Sequence, residues 1–62
     1  MSLTESKTIN KAIRASEREF EGCVVVVFQK ENGDFLFCLE SEFCFDDENI
    51  RGKYLNGKLC PV

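Results

Sequence analysis

An Asn-Gly pair at residues 32–33 lies between two apolar runs, and it constrains the fold more than any other feature of the chain. The run before it, residues 23–28, is rich in valine, and the run after it, residues 35–39, contains only phenylalanine, leucine and cysteine. Such a pair is the strongest short-range signal for a β-hairpin, because both residues tolerate the positive φ of a type I′ turn. The sequence therefore predicts an antiparallel hairpin with Asn32-Gly33 as its two-residue loop.

A two-residue loop also decides which residues share a face of the hairpin. Phe28 would lie opposite Phe37, and neighbouring residues of each strand would point to opposite faces. The first predicted face carries Val24, Val26, Phe28, Phe35, Phe37 and Leu39, and the second carries Cys23, Val25, Val27, Leu36 and Cys38. Because one helix covers only one face of a sheet, we expect either the C-terminal segment or a second subunit to cover the second face.

An amphipathic helix is predicted ahead of the hairpin. Ser2 and Glu5 match a capping box, which predicts a helix over residues 3–20 that ends at Gly22. The helical period places five side chains on one face: Ile9, Ala12, Ile13, Ser16 and Phe20. Four basic side chains line the opposite face: Lys7, Lys11, Arg14 and Arg18. We predict that the apolar face of this helix packs on the sheet.

The alternation of apolar residues continues beyond the hairpin through Phe43 and Phe45. Residues 34–46 therefore form either one long strand or two strands that break at residues 40–42. Strands usually contain about 5–6 residues, which favours a bend. The polar residues 46–49 then predict a turn.

A second Asn-Gly pair, Asn56-Gly57, predicts another tight hairpin near the C-terminus, with Tyr54 close to Leu59. The chain is short enough for one domain only, residues 1–62. We predict an α+β fold in which one N-terminal amphipathic helix packs on an antiparallel sheet of three to five strands with Asn-Gly hairpins.

Several classes of function are disfavoured by composition. The chain has no histidine, which excludes Ser-His-Asp and Cys-His catalytic arrangements. No nucleophile or phosphate-binding motif accompanies the carboxylates, so we predict that the protein is not an enzyme. No apolar run approaches the about 18 residues of a membrane span, and no apolar signal region stands at the N-terminus. We expect a cytoplasmic protein without a membrane partner.

The net charge of −3 is distributed unevenly. Residues 22–50 carry one basic and seven acidic side chains, a net charge of −6. Nucleic-acid binders are usually basic overall, so this balance disfavours such a role. Binding of nucleic acid through the basic face of the helix is kept as a second alternative, although acidic residues are interleaved with it and no aromatic residue accompanies it.

The four cysteines leave three interpretations open. Their spacing contains no C-x2-C pair, the strong signature of a zinc site. Free thiols acting as small apolar side chains are favoured, and no cofactor is predicted. The alternatives are a disulfide such as Cys23–Cys44, or a zinc or thiol protein. That zinc or thiol site would use four residues: Cys23, Cys38, Cys44 and Cys60.

The second predicted sheet face, with its acidic rim, is the candidate partner-binding surface. An apolar centre within a polar rim is the composition of many protein interfaces. This surface comprises Val25, Val27, Leu36, Cys38, Glu40, Glu42, Asp46, Asp47 and Glu48. We predict a non-catalytic interaction module with an accessory or regulatory role. It would form a homodimer or higher oligomer, or dock on or inhibit a larger protein with a basic surface.

Overall fold

The helix predicted at the N-terminus is present in the computed structural model, which describes residues 3–44 and 46–60. Helix α1 (Leu3–Glu17) ends three residues before the predicted end, and Gly22, with φ of 81°, lies in the turn that follows. Ser2, the predicted cap, lies outside the described residues. The predicted apolar face is confirmed, since its five members are all buried or half-buried against the sheet. Among the described residues, no helix has the length and apolar character needed to span a bilayer.

Four antiparallel strands form one sheet in the order β2-β1-β3-β4. They are β1 (Val24–Gln29), β2 (Phe35–Leu39), β3 (Ile50–Leu55) and β4 (Lys58–Leu59). The valine-rich β1 is an inner strand and four of its residues are buried, which agrees with an apolar run that has no polar side. The predicted α+β fold, with one N-terminal helix packed on an antiparallel sheet, is confirmed.

The predicted register of the first hairpin is wrong by one residue. The backbone N–H of Lys30 donates to the carbonyl of Asp34 (2.8 Å), and that of Gly33 donates to Lys30 (2.9 Å). The loop therefore contains three residues, 31–33, with Gly33 at φ of 92°. This is the turn-and-bulge geometry of three-residue hairpin loops. Phe37 lies opposite Val27 and not opposite Phe28, so every β1 side chain is on the other face from the one predicted.

The second hairpin has the predicted geometry. Asn56 and Gly57 both have positive φ, 51° and 82°, as a type I′ turn requires. Tyr54 lies opposite Leu59, as predicted. The side-chain oxygen of Asn56 also accepts a hydrogen bond from the backbone N–H of Gly22 (2.8 Å), which links this turn to the end of the helical region.

The main core lies between α1 and the sheet. Its buried members are Ala12, Val25, Val27 and Tyr54. The Tyr54 ring covers Gly52, where an added Cβ would come within 3.1 Å of the ring. Ser16, fully buried, donates to the carbonyl of Ile13 (2.8 Å) and accepts from the N–H of Gly57 (2.9 Å). That hydroxyl fastens the helix to the β3–β4 turn.

The opposite face of the sheet is covered by the described residues between β2 and β3, 40–44 and 46–49, which we name the crossover segment. Strands β2 and β3 are both antiparallel to β1 and flank it, so the chain between them crosses β1. The rings of Phe43 and Phe28 meet edge to face with centroids 5.3 Å apart. Val26 and Phe28 are consequently buried on this face. No second subunit is needed to cover them.

The crossover segment contains the bend expected from strand length. Strand β2 ends at Leu39 and a 3-10 turn, Glu40–Glu42, follows directly. A second 3-10 turn, Asp47–Asn49, forms the predicted polar turn and precedes β3. Phe45, on which the long alternation depended, lies outside the described residues.

Candidate functional site

The register changes the candidate partner-binding surface. Val25 and Val27, predicted at its centre, face the helix and have no exposed surface, so their assignment to the second face is wrong. The reason is the three-residue loop, which shifts β1 by one residue against β2. Leu36 and Cys38 do lie on the face opposite the helix, and Leu36 retains 43% of its surface. Both belong to β2, at one edge of the sheet.

The acidic residues of the predicted rim lie in the crossover segment. Glu40 pairs with Lys53 of β3 (3.0 Å), so one acidic residue holds the segment on the sheet. Glu42, Asp46 and Glu48 are exposed to solvent. The side chain of Asp47 lies outside the described part of the chain. The structure thus brings Glu42 close to Cys38 but separates both of them from the two valines.

The four cysteines are not assembled into one site. All four are free thiols, and Cys23 is not bonded to Cys44. Cys60 lies beyond β4, where its N–H donates to the carbonyl of Lys53 (2.7 Å). Among residues 3–44 and 46–60, no group of three or more cysteine and carboxylate side chains is placed to hold a metal ion.

Cys38 has a distinct environment. Burial raises the pKa of its thiol above the ordinary value, and the nearby Glu42 carboxylate and the Cys44 thiolate raise the pKa further. Each of these effects disfavours a negative charge on the sulfur. Because the thiolate is the nucleophile, the environment lowers the reactivity of this thiol at neutral pH.

We therefore expect Cys38 to be alkylated by iodoacetamide more slowly than Cys23, which is exposed. The pH at which its alkylation rate reaches half of the maximum should also be higher than for a free thiol, whose pKa is about 8.5. Peptide mass spectrometry after timed quenching measures all four rates in one sample. In denaturant the difference should vanish, and a Cys38 rate equal to that of Cys23 in the folded protein would contradict the assignment.

The outer edge of β2 is the least protected part of the sheet. In an antiparallel ladder, alternate residues direct their N–H and C=O groups to the same neighbour. The bond between Lys30 and Asp34 places Leu36 and Cys38 toward β1, so the backbone groups of Phe37 point outward. The Thr8 hydroxyl lies 3.1 Å from the carbonyl oxygen of Thr4 and 3.3 Å from that of Phe35, and its approach to Phe35 agrees with this parity. No strand of the described chain pairs with this edge.

Two adjoining shallow depressions, which share Lys11 and Phe37, lie between this edge and α1, and we call them together the groove. Its lining residues are Thr8, Lys11, Arg14, Ala15, Arg18, Glu19, Phe35, Leu36 and Phe37. Sequence reasoning assigned the basic residues to a solvent-facing side of the helix. The structure confirms that all four are exposed, and it places three of them, Lys11, Arg14 and Arg18, beside β2. A helical spacing of three and four residues puts them in one row, but only the strand order shows which strand they follow.

The groove, the exposed Leu36 and the thiol of Cys38 all lie along one strand. The arrangement offers backbone hydrogen-bonding groups, half-buried phenylalanine side chains and three cations to a ligand. Comparison with protein-family models, with curated proteins and with solved structures finds no match to this chain.

Proposed function

We propose that this chain is a non-catalytic protein–protein interaction module that binds a strand along the outer edge of β2. The bound strand would come from a second copy or from another protein. The observation that carries the proposal is the composition of β2, Phe35–Leu39, which contains no charged residue and no proline. Edge strands of soluble proteins are usually protected by charges, proline or bulges, and an unprotected apolar edge is an association site.

The surroundings of β2 support the same role. Leu36 is exposed on one side of the strand, and the backbone groups of Phe37 point outward between the two faces. Addition of a strand gives affinity through main-chain hydrogen bonds and specificity through alternate side chains. The acidic crossover segment adjoins Leu36 and Cys38, so a partner surface on that side would be apolar or basic.

One backbone change tests this proposal directly. N-methylation of Phe37 removes an outward N–H while it keeps the side chain and the β1–β2 hydrogen bonds. The chain is short enough for chemical synthesis, and its cysteines, Cys23 and Cys38 among them, provide ligation points. We expect the N-methylated protein to fold normally but to lose strand binding, because the added methyl group also blocks approach to the edge.

Two measurements are needed. One is a selection of binders from a library of random displayed peptides with the native protein as the target, and the other is sedimentation of the native protein over a range of concentrations. The proposal is supported if the native protein selects peptides or forms an oligomer and the N-methyl-Phe37 protein does neither. N-methylation of Leu36 is the matched control, since its N–H points to β1 and folding should suffer instead. Peptides that bind both proteins equally, or neither binding nor oligomerisation by the native protein, would refute it.

A further inference from the structure

The geometry points to a particular occupant of the β2 edge: an extended acidic segment of another protein, with carboxylates at alternate positions. This inference rests on the proposed function and specifies its partner. It arises from the three cations that lie beside the strand, Lys11, Arg14 and Arg18. Binding of a strand to an exposed edge does not by itself require cations.

The groove has the dimensions of a short strand. The five residues of β2 extend over about 16 Å, and α1 from Thr8 to Glu17 rises about 14 Å. Thr8 contacts Phe35 at one end, and Arg14 and Arg18 line the groove with Phe37 further along. The helix therefore lies beside the strand from Phe35 to Phe37, and a strand added at this edge would lie next to α1 there.

The charges favour carboxylates on the side of that strand that faces the helix. No described residue forms an ion pair with Lys11, Arg14 or Arg18, and Glu19 is the acidic residue at their end of the groove. Three cations against one carboxylate leave the groove positive although the chain as a whole has a net charge of −3. Alternate residues of a strand point to the same face, about 6.6 Å apart, so carboxylates at every second position would face this row.

The same charges disfavour a second copy of this chain. Antiparallel pairing of two β2 edges around a two-fold axis normal to the sheet would place both helices on one face. The three cations of each copy would then face those of the other, and the two Glu42 side chains would approach on the opposite face. Like charges across paired strands are destabilising, and such charges exclude a wrong partner. An acidic strand from another protein meets no such repulsion from the helix.

The backbone at the edge favours a peptide over a nucleic acid. Phe37 presents both an N–H donor and a C=O acceptor to the groove. An added strand satisfies both groups, because each of its residues also carries one donor and one acceptor. A phosphodiester offers acceptors only, which would leave the carbonyl without a partner.

The test is an NMR titration of the 15N-labelled full chain with synthetic peptides. The probe is a capped peptide of about seven residues, Thr-Glu-Val-Glu-Val-Glu-Thr, and the comparison peptide has lysine in place of glutamate. We expect saturable shifts centred on the amides of Phe37 and Leu39, and binding of the lysine peptide at least about tenfold weaker. Raising the salt concentration from about 50 to about 500 mM should weaken binding of the acidic peptide.

Two protein variants with the same change of charge locate the site. Arg14→Glu should lower the affinity for the acidic peptide by about tenfold, because it replaces an attraction by a repulsion. Lys58→Glu lies on β4, at the opposite edge of the sheet, and should change the affinity by less than about twofold. A loss of affinity in both variants alike would contradict a local site and overturn the inference.

The remaining outcomes separate this inference from the proposed function. Equal binding of the lysine peptide, or equally tight binding of a short oligothymidylate, would overturn the acidic strand as the occupant. If no peptide binds but the native protein forms a dimer that N-methyl-Phe37 abolishes, the acidic-strand inference fails and the edge-binding function stands. If no peptide binds and the protein stays monomeric, both fail.

Discussion

Val25→Glu is expected to abolish the folded state of this protein. Val25 has no exposed surface and packs with Ala12 and Tyr54 between helix and sheet. Losing the buried valine costs about 1.5–3 kcal/mol, and a carboxyl group without a partner adds several more. A chain of 62 residues has a total stability of about 3–9 kcal/mol. Far-UV circular dichroism and urea denaturation should show a largely unfolded chain at neutral pH.

Leu36→Glu provides the matched comparison for this prediction. Leu36 belongs to the same hairpin but is 43% exposed on the other face. We expect its free energy of unfolding to change by no more than about 1 kcal/mol, as for most surface positions. The two-residue loop would have put both side chains on one face, with similar effects. A stable Val25→Glu protein, or equal losses in the two variants, would therefore contradict the observed register.

The sequence could not decide that register, for a physical reason. Both faces of β1 carry large apolar side chains, so the hydrophobic pattern is satisfied by either alignment. The length of the loop determines which of the two alignments forms. The side-chain oxygen Oδ1 of Asn32 accepts from the backbone N–H of Asp34 (3.1 Å), and the side-chain amide of Gln29 donates to the backbone carbonyl of Gly33 (3.3 Å). These local bonds accompany a three-residue loop in which only Gly33 needs positive φ.

Elements with one solvent-facing side were predictable. The apolar residues of α1 recur with the helical period and are separated by polar ones, so only one face could be buried. Asn56-Gly57 directly joins residues that pair, and the expected type I′ turn is present there. An Asn-Gly pair therefore indicates a hairpin in both places but determines the loop length in only one.

No local sequence pattern indicated which segment covers the second sheet face. The crossover segment crosses β1 because β2 and β3 lie on opposite sides of that strand, and strand order is a property of the whole chain. Phe43 and Glu40 then reach Phe28 and Lys53, which are distant in sequence. The same topology exposes β2 at the edge beside α1. Residue types alone therefore placed Val25 and Val27 on the wrong face of the sheet, although Leu36 and Cys38 lie on the face predicted for them.

Gly57→Ala is expected to lower the free energy of unfolding by about 2–3 kcal/mol, most of it from the backbone. Gly57 has φ of 82°, a conformation that alanine adopts at a cost of about 1–2 kcal/mol. A Cβ at this position would also lie 2.8 Å from the Glu17 carboxyl carbon, so that side chain must move. For a domain of this size the melting temperature should fall by roughly 8–24 °C.

Gly33→Ala separates the two contributions. Gly33 has a similar φ of 92°, but a Cβ there would meet nothing within 4 Å. Its loss of stability should therefore be smaller and reflect the backbone alone. Introducing Glu17→Ala should reduce the cost of Gly57→Ala to that of Gly33→Ala, since it removes the side chain that the new methyl group meets. Thermal unfolding of the four variants completes this cycle. Equal losses at the two glycines, with no effect of Glu17→Ala, would mean that α1 and the β3–β4 turn are not packed together as the Ser16–Gly57 bond requires.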